Sequence, residues 1–442
     1  MPSVYILDND MGLTNLAPCF PCQFITALSR QEATPLGLSC DPTSAMVRGV
    51  QNGKNSEVVM TSTLIEHLIN SLEDNPDDAM CRNAYRFLIE SLSVTDIRTR
   101  CKIYDYAMNP ATFVRVSKSV LGSLLLQELV QRCEPIQLKG FIQLLQKFMV
   151  SLSCSRNSAH VMEKIWERMD VISCSLAACS MKGFELSTAV HPIGNHTIQA
   201  IIARAHFCGY GPIIHMLSCS EETFRTVVQD RYGHRVLLCA LEKMESQLGI
   251  EASRGLNRLL DRVAKYVAEM SDVLACHRYG NYVVQRVIVL KGFSQYRLMM
   301  AAMFRSKLLW LSQEKFGSHI VQKLLQYGED EVGYSMMNEL LDEYECNSEG
   351  MDALEVLMFD QFGNYVLQTM LELAADVLAG RRKGKREWLS RLVYRIICRQ
   401  SELIPYSSGK TLLAKACAVN ATAMYGPANK ISGIAKSSAL VN

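Results

Sequence analysis

The chain has 442 residues, of which 49% are hydrophobic and 20% are charged, and its formal net charge is +2. The near-neutral balance excludes a uniformly basic polyelectrolyte, and the apolar fraction excludes a wholly disordered chain. This length exceeds one compact core, so we expect either several domains or one elongated array of repeats.

The N-terminal segment, residues 1–57, carries scattered proline and glycine with little periodicity, which predicts a flexible extension. Its acidic start gives no evidence of a secretory signal, and the sequence contains no apolar run of about 18 residues that predicts a membrane span. Cys19 and Cys22 form a lone CxxC pair, and because a zinc site needs a second ligand pair, no metal site is predicted. The 16 cysteines lack regular spacing, which is typical of reduced thiols in the cytosol or nucleus.

Beyond this segment one short phrase recurs: glycine, a polar residue, a ring or guanidinium side chain and, in most copies, glutamine four places after the polar residue. The strong copies are IGNHTIQAI, YGHRVLLCA, YGNYVVQRV, FGSHIVQKL and FGNYVLQTM, whose polar residues are Asn195, His234, Asn281, Ser318 and Asn364. Weaker copies place Tyr85, Ser123 and Ala159 before them and Lys410 after them.

These positions are 36 to 47 residues apart, which indicates a helical repeat of about 36 residues with three insertions of roughly ten. Within a unit the apolar residues fall at helical spacing, as in Val283, Val284, Val287 and Ile288. We predict an all-α stack that spans residues 58–425, in which each unit covers the apolar face of its neighbour, followed by a tail at 426–442. LIEHLINSL at 64–72 predicts a helix of a degenerate capping repeat.

Each phrase is numbered from its polar residue, position i. Positions i and i+4 lie one helical turn apart on the same face, and i+1 is rotated to the side. Asn281 with Gln285 would present two amides to the edge of an unpaired base, and Tyr282 offers a ring on which bases stack with about 1–3 kcal/mol each. The alternative is that these side chains are only solvated or packed, but packing alone would not place glutamine repeatedly at i+4. The glycine is interpreted as permitting a tight helix entry.

With these residues in register, the sequence resembles the Pumilio (PUF) family of RNA-binding proteins, whose repeats carry this phrase. The resemblance implies a right-handed helical-repeat solenoid, the Pumilio homology domain, of about eight three-helix repeats plus capping repeats. It assigns Tyr85, Ser123 and Ala159 to repeats one to three, the five strong copies to repeats four to eight, and the Lys410 segment to a C-terminal cap.

The family's recognition code implies which bases are read. Asn with Gln implies uracil, Ser with Glu guanine and Ser with Gln adenine, and the RNA runs antiparallel to the protein. Repeats eight, seven and six would read U-A-U, with guanine as the second choice in the middle because Gln322 stands where a guanine-reading Glu would be. Leu238 replaces the amide in repeat five, and Ala159 has no polar group in repeat three.

The resemblance thus implies three sets of RNA-contacting residues. Base-edge reading falls to Asn195, Gln199, Asn281, Gln285, Ser318, Gln322, Asn364 and Gln368. Base stacking falls to His196, Arg235, Tyr282, His319 and Tyr365. Weaker candidates are Ser123, Gln127, His160, Glu163 and His234. We expect no cofactor and no enzyme, because no phosphate-binding loop, HExxH or GxSxG motif stands out.

Two charged segments lie near the C-terminus. Residues 329–355 are dense in acids, and no lysine or arginine occurs between Lys323 and Arg381. This insertion either docks a protein partner, as the corresponding loop can in the family, or is a solvated loop on the convex side. The basic run RRKGKR at 381–386 is a nuclear localisation signal, a phosphate contact or a solvated loop.

The leading hypothesis is a non-catalytic cytoplasmic monomer that binds single-stranded mRNA at 3′ untranslated elements with a U-(A/G)-U core. It would act in post-transcriptional regulation, by translational repression or decay through recruited proteins. One alternative is a nuclear or nucleolar Pumilio-like protein that binds rRNA or pre-rRNA in ribosome biogenesis. Another is a helical-repeat scaffold for proteins. The charge of +2 predicts that affinity depends on stacking and base edges more than on bulk charge.

Overall fold

The structure is a computed structural model that describes residues 61–72, 76–94, 97–248 and 254–425. Within these ranges the regular elements are all helices and no strand occurs, which confirms the predicted all-α class. The predicted extension at 1–57 and the tail at 426–442 lie outside the described residues. The chain divides into two compact units, unit 1 ending at Met169 and unit 2 beginning at Asp170.

Unit 1 contains the three weakest repeats. Its described helices are α1 (Ser62–Ser71), α2 (Ala79–Val94), α3 (Ile97–Ala107), α4 (Pro110–Lys118), α5 (Val120–Arg132), α6 (Pro135–Ser153) and α7 (Arg156–Arg168). Thr61 caps α1, the helix expected from LIEHLINSL, and Asn109 caps α4 just before a proline that suits the first helical turn. Helices α2, α5 and α7, which carry the three weak phrases, pack against one another in sequence order.

Unit 2 contains the five strong phrases and the C-terminal cap. Its described helices are α8 (Val171–Ala178), α9 (Glu185–Ala189), α10 (Gly194–Arg204), α11 (Phe207–Leu217), α12 (Glu221–Gln229), α13 (Gly233–Ser246), α14 (Arg254–Glu269), α15 (Ser271–Leu274), α16 (Gly280–Ile288), α17 (Ser294–Phe304), α18 (Leu308–Gln313), α19 (Gly317–Tyr327), α20 (Asp330–Asn338), α21 (Ala353–Phe359), α22 (Gly363–Leu378), α23 (Trp388–Cys398), α24 (Gln400–Leu403) and α25 (Ser407–Tyr425). A 3₁₀ turn at Cys179–Met181 and a π-helical turn at Glu339–Glu343 complete them.

Each repeat of unit 2 consists of a short helix, a phrase helix and a third helix, as α18, α19 and α20 show for repeat seven. The phrase helices α10, α13, α16, α19, α22 and α25 pack each against the next, and the third helices α11, α14, α17 and α20 do the same. This order of contacts makes each repeat the cover for its neighbour, as a repeat fold requires.

The burial pattern confirms the repeat register. In every strong phrase the residues at i+2, i+3, i+6 and i+7 are buried, and in α16 these four are at most 1% exposed. The same four positions are buried in the weaker phrase of α5, where they are Leu125, Leu126, Leu129 and Val130. Two apolar pairs one turn apart form the stripe of each phrase helix that faces the core.

The glycine before position i permits a tight helix entry, as predicted, and it does so by close packing. The glycines of the strong phrases have no positive φ, so conformational freedom does not explain them. A Cβ at Gly233 would lie 2.5 Å from the carbonyl oxygen of Val227, and one at Gly317 would lie 2.7 Å from that of Leu311. The glycine therefore lets the phrase helix begin in direct contact with the backbone of the short helix before it.

The cysteines of the described ranges are free thiols, as their irregular spacing predicts. No helix in the described part of the chain has both the length and the hydropathy that a membrane crossing needs.

Candidate nucleic-acid interface

The turn that leads into the phrase helix is held by the side chain at i−4 in repeats four, five, six and eight. The carboxylate of Asp230 accepts hydrogen bonds from the backbone amides of Tyr232 and Gly233, both at 2.7 Å. In repeat six Nδ1 of His277 takes this place and accepts from the amides of Tyr279 and Gly280 at 3.2 and 3.0 Å. Partial burial and the neighbouring Arg278 lower the pKa of His277, which keeps this nitrogen free to accept.

The asparagine at position i is buried, which corrects the expectation that both amides of each pair are exposed. Asn281 is 0% exposed, and its Nδ2 donates to the carbonyl of His277 at 2.7 Å. Asn195 donates to the carbonyls of His191 and Pro192, at 2.8 and 2.9 Å. Asn364 is also buried and donates to Asp360 and Gln361 in the same way. The reason is that the first turn of a helix brings the i−4 carbonyl within reach of a short amide side chain.

The glutamine at i+4 forms a hydrogen bond with this asparagine. The other hydrogen bonds of the asparagine determine which atom of the glutamine amide faces it. Since the Asn281 amide nitrogen donates to a carbonyl, its Oδ1 must accept, and Nε2 of Gln285 donates to it at 2.9 Å. Gln199 and Gln368 repeat this bond to Asn195 and Asn364 at 2.8 and 3.3 Å. This bond uses one N–H of each glutamine and does not involve its Oε1 or its second N–H. Gln199 and Gln285 are half-buried, whereas Gln368 is buried.

Serine gives a different arrangement in repeats seven and two. Ser318 is buried, and Nε2 of Gln322 donates to its backbone carbonyl at 3.1 Å. In unit 1, Gln127 donates to the backbone carbonyl of Ser123 at 3.2 Å. The serine hydroxyl therefore does not fix the glutamine, and the two repeats share one geometry although their sequences differ.

Repeat five is filled by rings. His234 is 2% exposed, and its Nδ1 lies 2.9 Å from the carbonyl of Asp230, so this nitrogen carries a hydrogen. Its ring stacks on Tyr279 and Tyr282 of the next repeat, with centroids 5.2 and 6.0 Å apart. Burial lowers the pKa of His234 to about 4, so the ring is neutral at pH 7.

The side chains at i+1 are more accessible than those at i. His196 and His319 are exposed, Tyr365 is 49% exposed and Tyr282 is half-buried. Arg235 is half-buried, and its Nε has no hydrogen-bond partner among the described residues. In unit 1, His160 and Glu163 lie 4.0 Å apart on the exposed side of α7.

The acidic insertion is largely neutralised within the molecule. Arg395 bonds to Asp352 at 2.7 Å and to Glu355 at 3.2 Å, and Arg399 bonds to Glu355 at 2.6 Å. Asp342 pairs with Arg391 at 2.8 Å. The segment is therefore not simply a solvated loop. Glu345 and Glu349, on its exposed part, form no ion pair with the described residues.

The basic run at 381–386 is not simply solvated either. Arg382 donates to the backbone carbonyls of Leu325, Gly328 and Glu329 at 2.6–3.1 Å, and it pairs with Asp330 at 3.3 Å. Its side chain is only 16% exposed. This arginine thus joins the end of α19 to the start of α20.

Two features of this surface were not predicted from the sequence. Position i−4 is His or Asp in repeats four, five, six and eight and Glu314 in repeat seven, and cations occupy i−3 in repeats five to seven. Both were visible as residues in register just before the aromatic position. No group of metal-ligating side chains occurs in the described ranges.

Comparison with known proteins agrees with this geometry. The family model described as "Pumilio-family RNA binding repeat" matches residues 273–289, 307–341 and 356–377. Among curated proteins of Caenorhabditis elegans, Fem-3 mRNA-binding factor 2 is 28% identical over 327 residues, which cover 68% of this chain and 52% of that protein. Fem-3 mRNA-binding factor 1 is 29% identical over 332 residues, covering 68% and 53%. The chain thus spans about half the length of these relatives.

Solved structures share the fold. PUF-6 in complex with 5BE13 RNA matches with a TM-score of 0.66 and 19% identity, covering 81% of this chain and 100% of that one. The Puf3 RNA binding domain bound to a Cox17 RNA 3′ UTR recognition sequence matches with a TM-score of 0.60 and 19% identity, covering 84% and 99%. The phrase in register, the matched repeats and the shared helical fold together make this chain similar to the Pumilio-family RNA-binding proteins.

Proposed function

We propose that this protein binds single-stranded RNA sequence-specifically and that repeats six to eight read a U-(A/G)-U core. The observation that supports it most is the recurring pair of a glutamine held from behind and a ring beside it. Both side chains remain at least partly exposed in three such pairs, which are Gln199 with His196, Gln285 with Tyr282 and Gln322 with His319.

A held glutamine matches the edge of uracil. Oε1 of Gln285 can accept from the uracil N3–H while its second N–H donates to a neighbouring carbonyl. Because the bond to Asn281 directs Nε2 inward, the outward donor and acceptor keep a fixed order. A fixed order distinguishes bases that a freely flipping amide would accept equally.

In repeat seven the glutamine is held by a backbone carbonyl, and the family code implies adenine there. Glutamine bonds well to the N6–H and a ring nitrogen of adenine. We infer U-A-U as the preferred core and U-G-U as the second.

The biological role follows as part of the same proposal. The relatives are named for mRNA binding, and the Puf3 neighbour is bound to a 3′ UTR sequence. We propose that this chain acts on mRNA in the cytoplasm in post-transcriptional regulation, with a protein partner that docks at the exposed acids Glu345 and Glu349. The burial of Arg382 disfavours a free nuclear localisation signal at 381–386, and imaging of the tagged protein tests the compartment.

The decisive experiment compares the affinity of the purified chain for short oligonucleotides that carry U-A-U, U-G-U or a scrambled core, at one stated salt concentration. We expect the order U-A-U, U-G-U, scrambled. Equal affinity for all three contradicts sequence-specific binding.

A substitution sharpens this test. Gln322→Glu should shift the preference from U-A-U toward U-G-U by about 1–3 kcal/mol, because a carboxylate accepts from the guanine edge but cannot donate. Gln326→Glu is the matched control, since Gln326 is exposed on the same helix and its substitution adds the same negative charge. If both variants keep the order of the parent chain, Gln322 does not read the base.

A further inference from the structure

A row of cations lies beside the predicted base-reading positions. Position i−3 is Arg231 in repeat five, Arg278 in repeat six and Lys315 in repeat seven. Each cation lies over the ring of the next residue, at 5.7, 4.7 and 5.7 Å from the ring centroids of Tyr232, Tyr279 and Phe316. The cation and its ring therefore recur with the repeat, as the base-reading residues do.

The ring contacts connect this row to the stacking surface. Tyr279, under Arg278, stacks on His234, and His234 stacks in turn on Tyr282. Arg278 is thus separated by two ring contacts from the side chain predicted to stack a base.

Arg231 and Arg278 differ from most arginines of unit 2 in their partners. Arg286, Arg297, Arg382 and Arg399 are each paired with a carboxylate. Arg231 and Arg278 are exposed, and neither has a carboxylate within salt-bridge distance in the described ranges. Asp230, the carboxylate adjacent to Arg231 in sequence, is occupied by two backbone amides.

We propose that Arg231, Arg278 and Lys315 bind successive phosphates of the single-stranded RNA that repeats five to seven hold. A guanidinium or ammonium that rests on a ring keeps its N–H donors for a phosphate oxygen. Repeats four and eight have Pro192 and Gln361 at this position, so the uninterrupted row runs from repeat five to repeat seven. The inference rests on the proposed RNA binding and adds to it the residues that contact the backbone without reading bases.

The test is the salt dependence of affinity. Each phosphate contact to a single strand contributes roughly 0.7 to the slope of log affinity against log salt concentration. The variant Arg231→Gln/Arg278→Gln/Lys315→Gln should therefore show a slope shallower by roughly 2, with an unchanged ratio of U-A-U to scrambled affinity. Lys265→Gln is the control, because Lys265 is exposed on α14 and pairs with Glu269 at 3.6 Å.

Three outcomes separate the claims. The proposal is supported if the triple variant has a shallower slope and the Lys265→Gln control keeps the slope of the parent chain. The single variant Arg278→Lys, which keeps the positive charge, should also keep that slope. An unchanged slope in a triple variant that melts like the parent chain overturns it while leaving sequence-specific binding in place. No binding of any oligonucleotide by the parent chain contradicts the proposed function itself, and the row with it.

Discussion

At the scale of single residues, the asparagine of each phrase joins two structural tasks. Asn281 closes the first turn of its helix through the carbonyl of His277 and orients Gln285 through its Oδ1. Because Asn281 is buried, Gln285 is the member of the pair that remains accessible for the proposed base contact. The pair is therefore expected to divide into a stabilising residue and a reading residue.

Asn281→Ala should lower the free energy of unfolding by about 1–3 kcal/mol, because it leaves the buried carbonyl of His277 without its side-chain donor. Gln285→Ala should change the free energy of unfolding by less than about 1 kcal/mol, since Gln285 is half-buried. The same variant should weaken binding to U-A-U more than binding to the scrambled core. Urea unfolding and oligonucleotide titration measure the two effects. Equal losses of stability in both variants would contradict the division of roles.

His234 predicts a pH dependence of stability. Its pKa is lowered by burial to about 4 in the folded chain, below the ordinary value of 6.5. The unfolded chain then binds more protons between these values, so stability is full above pH 6.5 and falls as the pH drops toward 4, by on the order of 3 kcal/mol. Unfolding by urea at a series of pH values measures this.

The control is His234→Asn, because repeats four, six and eight have asparagine at this position. Asn does not titrate, so the variant should show a shallower decline between pH 6.5 and 4. His277 and His319, whose pKa values are also lowered by burial, leave a residual decline. Identical pH profiles for the variant and the parent chain would rule out His234 as the source.

At the scale of elements, the contact between the short helix and the phrase helix explains why glycine recurs. In each strong phrase a Cβ on this glycine would meet the residue six places earlier, and one on Gly363 would lie 3.0 Å from the Cα of Leu357. Such a distance is shorter than any ordinary van der Waals contact, and backbone atoms cannot move aside as a side chain can.

Gly233→Ala should therefore destabilise unit 2 by about 1–3 kcal/mol, because the new methyl group lies 2.5 Å from the Val227 carbonyl oxygen. Gly140→Ala is the matched control within a helix. There the added Cβ meets only the flexible Met108 side chain at 3.0 Å, and alanine is the better helix former. Thermal unfolding should show a loss for the first variant and little change or a gain for the second.

The segment after α22 is joined to the third helix of repeat seven by Arg382. Arg382→Ala should cost about 2–4 kcal/mol, because it removes hydrogen bonds to three backbone carbonyls and leaves Asp330 without its partner. Arg381→Ala should cost less than about 1 kcal/mol, since Arg381 is 65% exposed and pairs only with Asp376. Equal melting temperatures for the two variants would show that Arg382 does not join these elements.

At the scale of the whole molecule, charge is arranged by local pairing rather than by a basic surface. The acids of the insertion are paired with Arg391, Arg395 and Arg399 of the C-terminal segment. The net charge of +2 therefore coexists with a short row of cations beside the phrase helices. RNA affinity should then depend mainly on stacking and base edges, with a small number of phosphate contacts.

A base scan of the RNA should reflect the quality of the repeats. Substituting a base opposite repeat six or seven should cost about 1–3 kcal/mol, because a held glutamine and a ring are both present there. Substituting a base opposite repeats one to three should cost less, since Ser123 has no neighbouring ring and Ala159 has no polar group. Affinities for a set of singly substituted oligonucleotides measure this, and a uniform loss along the strand would contradict it.

Much of the fold was predictable because repetition makes the signal additive. The positions i+2, i+3, i+6 and i+7 are apolar in successive units, so the helical period and the register could be established even for the weak phrase of Ser123. The accessibility of Asn281 was not predictable in this way. It depends on the i−4 carbonyl and on the neighbouring helix, neither of which periodicity describes.

The sequence by itself determined the repeat, its helical class and the residues that recur in each phrase, because these depend on spacing along one chain. Only the tertiary structure decided what those residues do. Contact with the preceding helix makes the glycine a packing residue, the helix turn buries the asparagine, and the C-terminal arginines neutralise the acidic insertion. Each of these depends on atoms that packing brings together from separate elements, which is why the accessible glutamines and rings could be identified only in the folded chain.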